Sequence, residues 1–442
     1  MLPDPSPTTP HSPAAEPRRR RTVRRRRTAA VLAVTLVSGL ALSGCATAGS
    51  DVVTIQFMQN KPEAVEYFAD LVQRFEEENP DIRVVQGNSE AALVPGLIRG
   101  TPPDVTTRGW AYASADFAAK GIYADLSDLE AADRVDPAAQ ELVNSWGQYN
   151  GTEVSALPFS LAGAGVIYNE ALFDQFGVEV PTTWGEFVAA CEVFAANGVT
   201  PVYGTYKDSW TLAQGLFDYT TGGLVDVAAF YAPPEDGADP VTRSYTKTFA
   251  PAVEKMKTIL SYTQKGAATR SYPDGNAAFA HGEAAMYFQG PWALSEINGI
   301  NPDLQIGTFA LPMTNDPADT KARVNVDSAL SILRTTEHPA EARRFVEFLM
   351  QPEVVEAFNT DHAAFSPLTD APPQANPQIA GLDPLFKAGR YYQGAFTYMP
   401  PAVPAQNYIQ YFAGTGNGAG LLRNLDEDTQ RVADRLAPST DN

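Results

Sequence analysis

The apolar positions from residue 53 onward repeat with two different periods. From Val53 to Phe57 apolar and polar residues alternate, which predicts a β-strand with one face in a core. From Pro62 the apolar residues recur every three or four positions until Asn79, which predicts an amphipathic helix that begins with proline. A second strand is predicted over residues 82–85. Strand, helix and strand in this order form a βαβ unit, whose right-handed crossover implies a parallel sheet.

The same alternation of strands and helices continues along the chain. Residues 183–186 read Thr-Trp-Gly-Glu, the spacing of a capping box, so a helix is predicted to begin there and to end near Gly198. Short apolar runs and proline or glycine breaks predict helices over 116–121 and from Pro339, and extended segments over 156–158, 165–168, 284–288 and 306–310. The fold class is therefore α/β. Two lobes are expected, because about 400 residues exceed a single comfortable core.

The first 45 residues have a different composition. Eight arginines within Arg18–Arg27 precede thirteen uncharged residues, Ala29–Ala41, a stretch too short to span a bilayer. A basic region followed by a short apolar region is typical of a secretory signal, so residues 1–44 are predicted to be removed. Leu42–Cys45 reads as a bacterial lipobox, in which Cys45 becomes the lipidated start of a linker over residues 45–50. An ordinary cleaved signal stays open as the alternative, as do the general and twin-arginine export routes.

The net charge limits the kinds of molecule that the protein can bind. The sequence has 32 basic and 52 acidic residues, a net charge of −20. Beyond residue 45, 24 basic and 50 acidic residues remain, so the net charge of that part is −26. Such a chain repels phosphate backbones and anionic lipid head groups, which excludes a general nucleic-acid binder. With 44% apolar and 19% charged residues, it is expected to be soluble and globular.

Few residues suggest covalent chemistry or metal binding. Cys191 lies on an apolar face of a predicted helix, so a buried and inert thiol is expected. His281, His338 and His362 are too dispersed for a zinc spacing, so neither a metal site nor a cofactor is predicted. The sequence has no nucleophile elbow, HExxH, P-loop or GxGxxG motif. A pair of catalytic carboxylates, as in glycoside hydrolases, stays open because an acidic chain always offers candidates.

The tryptophans are more informative. Trp110, Trp210 and Trp292 lie in segments predicted to be loops after strands, and ligands of open parallel sheets bind at the carboxyl ends of strands. The alternative for each of them is that the indole covers the local core. Trp184 follows the predicted helix N-cap, and we expect it to pack there as a staple residue.

Several short motifs, taken in order and spacing, resemble those of one protein family. The chain resembles the extracellular solute-binding lipoproteins of ABC importers, in the carbohydrate-binding group (family 1) that includes maltose-binding protein. The motifs that carry this resemblance are VTIQFMQN at Val53–Asn60, TPPDV at Thr101–Val105, LPFSLAGAGVIYNEALF at Leu157–Phe173, PTTWGEF at Pro181–Phe187, FAHGEAAMYFQGPW at Phe279–Trp292, GTFALP at Gly307–Pro312 and the helix at Ala342–Met350.

The resemblance implies a two-lobed α/β fold of the type II periplasmic-binding-protein kind, in which the chain crosses between lobes three times and closes like a hinge. The crossings are expected near Leu157–Ser160, between Pro312 and Asp327, and near Phe365–Pro367. The N-terminal lobe would then combine residues 51–158 and 328–364, and the C-terminal lobe residues 159–327 and 365–442.

The resemblance also implies ligand-binding residues in the cleft between the lobes. Trp292, in a Gly-Pro-Trp turn, is expected as the main sugar-stacking residue and Trp110 as a second platform, because an indole face packs on the C–H groups of a sugar. Lys61 is expected to be a solvated charge. The maltose-type Asp-Arg pair does not follow Trp110, which argues against maltose. The other residues expected to contact the ligand are Gln59, Asn60, Phe159, Ser160, Asp208, Trp210 and Asp327.

The function implied is that of a monomeric, exported protein, lipid-anchored to the outer face of the bacterial cytoplasmic membrane. It would capture a sugar or oligosaccharide and deliver it to the transmembrane subunits of an ABC permease, without chemistry. One alternative is an envelope glycoside hydrolase. The other is the same fold with a polyamine, a peptide or a glycerol phosphodiester as its ligand; the candidate loops have no basic cluster for a phosphate.

Overall fold

The computed structural model describes residues 52–87, 93–232 and 243–436. All of these residues belong to one compact unit, Ser50–Asn442. The predicted signal sequence and the predicted lipidation site, Cys45, lie outside the described residues. Across the described ranges, no helix combines the length and the apolar character that crossing a membrane requires.

The first βαβ unit forms as its sequence pattern predicts. Strand β1 (Val53–Gln59) lies parallel to β2 (Ile82–Gly87), and helix α1 (Val65–Glu78) connects them after a 3₁₀ turn. The buried residues of α1 lie on one face, three or four positions apart, so the helix covers the sheet with an apolar stripe.

The remaining elements alternate along the chain. The other described strands are β3 (Val105–Arg108), β4 (Leu157–Asn169), β5 (Thr200–Tyr203), β6 (Ala284–Gln289), β7 (Ile306–Phe309), β8 (Ala322–Ile332) and β9 (Tyr391–Gln393). The other helices are α2 (Leu93–Arg99), α3 (Tyr112–Ala119), α4 (Glu130–Arg134), α5 (Pro137–Asn144), α6 (Glu170–Phe176), α7 (Trp184–Ala196), α8 (Ser209–Thr211), α9 (Asp218–Gly222), α10 (Val227–Tyr231), α11 (Tyr245–Thr248), α12 (Ala250–Ser261), α13 (Tyr272–Ala280), α14 (Leu294–Ile300), α15 (Pro339–Leu349), α16 (Pro352–Asp361), α17 (Asp383–Lys387), α18 (Ala405–Thr415) and α19 (Gly418–Leu436). Short 3₁₀ turns lie at Pro62–Ala64, Tyr149–Gly151, Ala267–Thr269, Pro291–Ala293, Pro317–Asp319, Ala380–Leu382 and Ala395–Tyr398, and Leu212–Phe217 is π-helical.

The two longest strands, β4 and β8, lie side by side in the middle of the sheet. The strands follow the order β2-β1-β3-β8-β4-β6-β5, with β7 beside β4 and β9 beside β8. β8 is antiparallel to both β3 and β4. Strand β4 changes partners along its length: Leu157–Ala164 pair with β8, whereas Gly165–Asn169 pair with β6 and β7. The first part of β4 therefore belongs to the half of the sheet that contains β8, and its second part belongs to the half that contains β6 and β7.

The segments predicted to be extended over 156–158 and 165–168 both belong to β4, which is one strand of 13 residues. Gly165 allows the strand to continue past β7. A Cβ atom at this position would lie 2.4 Å from the carbonyl oxygen of Phe309, closer than side chains approach in real proteins. Only glycine lets the two backbones lie this close.

A third segment of the chain is attached to β4. The N–H of Leu161 donates to the carbonyl oxygen of Phe365 at 3.0 Å, and the N–H of Phe365 donates back at 2.8 Å. Residues near Phe365 thus run beside β4. This is the region in which the three crossings are expected.

Phe159 and Ser160 are fully buried, which corrects the prediction that they face a cleft. The ring of Phe159 lies 4.9 Å from that of Phe358 and 5.9 Å from that of Phe68, in the core beneath α1 and α16. The pairing of β4 with β8 shifts register between Pro158 and Ser160. Such a bulge interrupts the alternation of side chains, so simple counting along the strand assigns the wrong face.

Helix α7 begins with the predicted capping box. Thr183 Oγ1 accepts from the N–H of Glu186, and the Glu186 side chain accepts from the N–H of Thr183. The helix buries one apolar face that includes Cys191, as the sequence predicts. Burial raises the pKa of the Cys191 thiol to about 12, so the thiol stays protonated and unreactive near neutral pH.

The core position of Phe159 yields a stability prediction. Phe159→Ala should lower the free energy of unfolding by about 3–5 kcal/mol, because it removes a buried ring and leaves a cavity. Denaturant unfolding followed by circular dichroism measures this change. Phe159→Leu, which keeps most of the apolar volume, is the matched control and should lose clearly less. A loss below about 1 kcal/mol for Phe159→Ala would place the ring outside the core.

Candidate functional site

A cleft of about 650 Å³ opens at the carboxyl ends of β1 and β3. This is the edge of a parallel sheet at which ligands usually bind. Its walls come from five parts of the chain: the end of β1, the end of β3 with the start of α3, the π-helical segment, the first half of β8, and the segment that leads into α18. The lining residues are Asn60, Arg108–Ala113, Gln214, Arg323, Asn325–Asp327, Phe396, Thr397, Met399–Pro401 and Val403–Asn407.

One strand supplies the polar floor of the cleft. Arg323, Asn325 and Asp327 alternate along β8 with Val324 and Val326, whose side chains are buried. Side chains two positions apart on a strand point to the same face, so the three polar residues form one row. We call them the β8 polar row. Sequence reasoning identified Asp327 but missed the other two, although their alternation with valine is visible in the sequence.

Asp327 is paired with Lys61 across the cleft floor. The Lys61 Nζ lies 2.6 Å from the Asp327 Oδ2, and only 17% of the lysine side chain is exposed. Lys61 is therefore not the solvated charge that the sequence predicts. The turn that carries it is shaped by Gln59, whose Oε1 accepts from the Lys61 N–H at 2.6 Å. Gln59 itself is buried and does not line the cleft, whereas Asn60 does.

Trp110 lies at the cleft but is 2% exposed. Its backbone N–H donates to the carbonyl oxygen of Val326 at 2.9 Å, and its own carbonyl oxygen accepts from Gln393 Nε2 at 2.6 Å. Its ring is tilted against that of Tyr123, with 6.4 Å between centroids. This environment holds the indole in the wall of the cleft rather than as an open stacking platform.

The other predicted aromatic residues form a cluster beside the cleft, centred on Tyr272. The ring of Trp210 lies 5.0 Å from that of Tyr272, whose hydroxyl donates to the carbonyl oxygen of Trp292 at 3.3 Å. Asp208 Oδ2 accepts from the Tyr272 N–H at 2.6 Å, so this carboxylate positions the cluster. Asp208, Trp210 and Trp292 are brought together, but none of the three lies on the cleft surface itself.

Trp292 is the member of the cluster nearest to the polar row. The guanidinium carbon of Arg323 lies 6.0 Å from the centre of its ring. The indole folds back over Gly290, where a Cβ atom would lie 2.2 Å from the ring. The glycine of the Gly-Pro-Trp turn is thus required for this ring position, and Gln289 Oε1 fixes the indole by accepting from Nε1 at 3.1 Å.

A proline-rich wall, residues 396–407, was missed by sequence reasoning. Phe396, Met399 and several prolines of this segment line the cleft together with the polar row. The wall is attached at both ends of the 3₁₀ turn: the Phe396 N–H donates to Asp218 Oδ1 at 2.9 Å, and the Tyr398 ring lies 4.2 Å from that of Trp146. The sequence shows this segment as a cluster of Met, Val and Pro, but nothing in that composition places it at the cleft.

Electrostatically, the floor contains a buried ion pair. Arg323 Nη2 donates to Asp218 Oδ2 at 3.0 Å, and both side chains are almost completely buried. Burial raises the pKa of Asp218, and the guanidinium opposes this by favouring the ionised carboxylate. Asp218 follows the π-helical segment, an irregularity that often marks functional sites. A second guanidinium, that of Arg108, lies 5.5 Å over the Phe117 ring.

Several buried polar atoms along the cleft have no hydrogen-bond partner among the described residues. They are the donors Trp110 Nε1, Arg323 Nε and Arg323 Nη1, and the acceptor Asn325 Oδ1. Most buried polar atoms in native proteins are hydrogen-bonded, so a concentration of unpaired ones calls for an explanation. Residues with such donors and acceptors that line a pocket together with apolar side chains are typical of a binding site for a polar ligand.

Comparison with known proteins assigns this architecture to a family. A family model described as bacterial extracellular solute-binding protein matches residues 60–356. The chain is 27% identical over 333 residues to the multiple sugar-binding protein of Streptococcus mutans, which covers 70% of this chain and 73% of that protein. It is 23% identical over 332 residues to the melibiose/raffinose/stachyose-binding protein MelE of Bacillus subtilis, covering 71% and 75% respectively.

Solved structures give the same result for the fold. The apo form of RafE from Streptococcus pneumoniae superposes with a TM-score of 0.73 at 25% identity, covering 86% of this chain and 98% of that one. RafE in complex with raffinose gives a TM-score of 0.68 at 26% identity, covering 86% and 99%. The expected two-lobed α/β fold is thereby confirmed. The chain belongs to the family of bacterial extracellular solute-binding proteins.

Proposed function

We propose that this protein is the sugar-capturing receptor of an ABC importer. The observation that carries the proposal is the cleft, which is lined both by an apolar segment and by residues whose buried donors and acceptor have no partner among the described residues. A sugar matches this arrangement, because its hydroxyls both donate and accept while its C–H face packs on apolar or aromatic groups. The proteins named above for sugar, raffinose and stachyose binding support the same class of ligand.

The charges of the cleft support binding rather than glycoside hydrolysis. Hydrolysis uses a pair of carboxylates on either side of the scissile bond. Among the described residues that line the cleft, Asp327 is the one carboxylate, and Lys61 neutralises it at 2.6 Å. We therefore propose a receptor that releases its ligand unchanged to permease subunits.

Lobe closure is part of the proposal. The lobes would comprise residues 51–158 with 328–364 and residues 159–327 with 365–442, and they would close around the ligand. Strand β4 supports this division in part, because its pairing changes at Ala164–Gly165, a few residues later than the proposed boundary. The ligand would then contact Asn60 and the wall near Trp110 on one side, and the segment 396–407 on the other.

The direct experiment is calorimetric titration with raffinose, stachyose, galactose and chitin oligosaccharides. We expect saturable binding of at least one neutral sugar, and a stabilisation against unfolding of about 2.7 kcal/mol at 100 times its dissociation constant. Small-angle scattering of the same samples should show a smaller radius of gyration with ligand. Chromatography should recover the glycan intact, and new reducing ends would contradict the receptor assignment.

Trp292 does not line the cleft, but it is the member of the aromatic cluster nearest to Arg323, and we propose that it contacts the ligand when the lobes close. Trp292→Ala should weaken affinity about 10- to 100-fold, the range seen when an aromatic anchor is truncated at a binding site. Trp184→Ala is the matched control, because Trp184 packs on Phe187 and Lys255 away from the cleft. Equal affinities for the two variants would leave Trp292 as a core-covering residue.

We further propose that the mature protein is exported and anchored by lipid at Cys45. The support is the sequence pattern of residues 1–45, in which Leu42–Cys45 directly follow the apolar stretch. Cys45→Ser should release the protein from washed membranes into the soluble fraction while its sugar affinity stays the same. Recovery of the variant in the membrane pellet would count against lipidation.

A further inference from the structure

Arg323 is held rigidly at the cleft floor. Its backbone lies between two partners, because β8 pairs Arg323 with Ala164 of β4 and with Tyr392 of β9. Its side chain is fixed on one side by Asp218, which itself accepts from the Phe396 N–H of the proline-rich wall. The guanidinium therefore has a defined position before any ligand binds.

Two nitrogen atoms of this guanidinium group make no hydrogen bond to the described residues. Nε and Nη1 have no hydrogen-bond partner within the described part of the chain, although the side chain is only 1% exposed. A buried donor without a partner lowers stability, and a buried ion pair is often no more stable than an apolar replacement. An arrangement that costs stability and lines a cleft is typical of a functional residue.

Asn325, the next member of the β8 polar row, has an acceptor atom without a partner rather than donor atoms. Its Oδ1 is a buried acceptor for which the described residues provide no donor. Cα atoms two positions apart on a strand are separated by about 7 Å, so both side chains can contact one ligand molecule. The floor thus offers donors at Arg323 and an acceptor at Asn325.

The chemistry of this pair restricts the class of ligand. A carboxylate or phosphate group only accepts and leaves Asn325 Oδ1 unpaired, whereas an ammonium group only donates and leaves Arg323 unpaired. A hydroxyl does both. An acidic sugar also has hydroxyls, but its carboxylate would add a negative charge next to Asp218, which already compensates Arg323 on the cleft floor. Lys61 compensates Asp327 in the same way.

We propose that Arg323 and Asn325 are ligand-contacting residues that select neutral hydroxylated sugars over acidic ones. Arg323 donates to a ligand oxygen through Nε or Nη1, and Asn325 accepts from a ligand hydroxyl. This inference rests on the proposed sugar-binding function and assigns the class of sugar within it.

The test compares the wild-type protein with two variants. The double variant Arg323→Met/Asp218→Asn removes the guanidinium without leaving a buried unpaired carboxylate, and Asn325→Leu removes the acceptor. The ligands are raffinose, stachyose, galactose and galacturonate, titrated by calorimetry. We expect each variant to lose about 10- to 100-fold in affinity for the neutral sugar that the wild type binds best, as hydrogen bonds to buried groups predict. Wild type should prefer galactose to galacturonate.

Two controls separate binding from folding. Arg334→Met makes the same change in an exposed arginine paired with Glu153 just beyond β8, and it should change affinity less than twofold. The unliganded double variant should unfold at the same temperature as wild type or above it. The reason is that a buried ion pair is often no more stabilising than a less polar replacement.

Each outcome decides the proposal. Unchanged affinity in both variants, or tighter binding of galacturonate than of galactose by wild type, overturns it while the receptor function stands. If wild type binds none of the sugars, the receptor function fails, and the proposal that rests on it fails with it. A drop of more than about 5 °C in the unliganded double variant assigns the Arg323–Asp218 pair to structural support and also overturns the proposal.

Discussion

The antiparallel pairing of β4 with β8 determines most of what the rest of the molecule can do. It begins at Leu157↔Leu330 and continues to Ala164↔Arg323, so both strands run through the middle of the sheet. Every backbone hydrogen bond in this ladder fixes which side chains point to the cleft. A shift of one residue would turn Val324 and Val326 toward the cleft and turn the β8 polar row away from it.

The same ladder explains why the cleft can be both polar and well ordered. Arg323 and Asp327 belong to a strand with neighbours on both sides along part of its length, so their backbone positions do not depend on a mobile loop. Each is then oriented by a charge from another element, Asp218 from a helix and Lys61 from the turn after β1. A site built on strands and supported by further contacts is preorganised for its ligand.

Periodicity alone was enough to predict the βαβ unit, the capping box of α7 and the α/β class. It failed where side-chain direction depends on non-local pairing. Phe159 follows Pro158 in a strand that the sequence identifies correctly, but the register shift against β8 decides which way the ring points. For the same reason the burial of Lys61 was hidden, since its partner Asp327 lies far away in the sequence. The wall at 396–407 has neither a helical nor a strand period, so pattern analysis had no signal that placed it at the cleft.

The buried thiol of Cys191 allows local unfolding to be measured without introducing a probe residue. The chain has two cysteines, and Cys45 belongs to the proposed lipid anchor, which leaves Cys191 as the single thiol of the globular part. With its pKa raised to about 12 and its side chain inside α7, it can react with a thiol reagent only when this helix opens. The rate of that reaction therefore reports the free energy of local opening in native protein. Because α7 lies in the proposed C-terminal lobe, the rate gives a direct reading of how strongly a bound ligand stabilises that lobe.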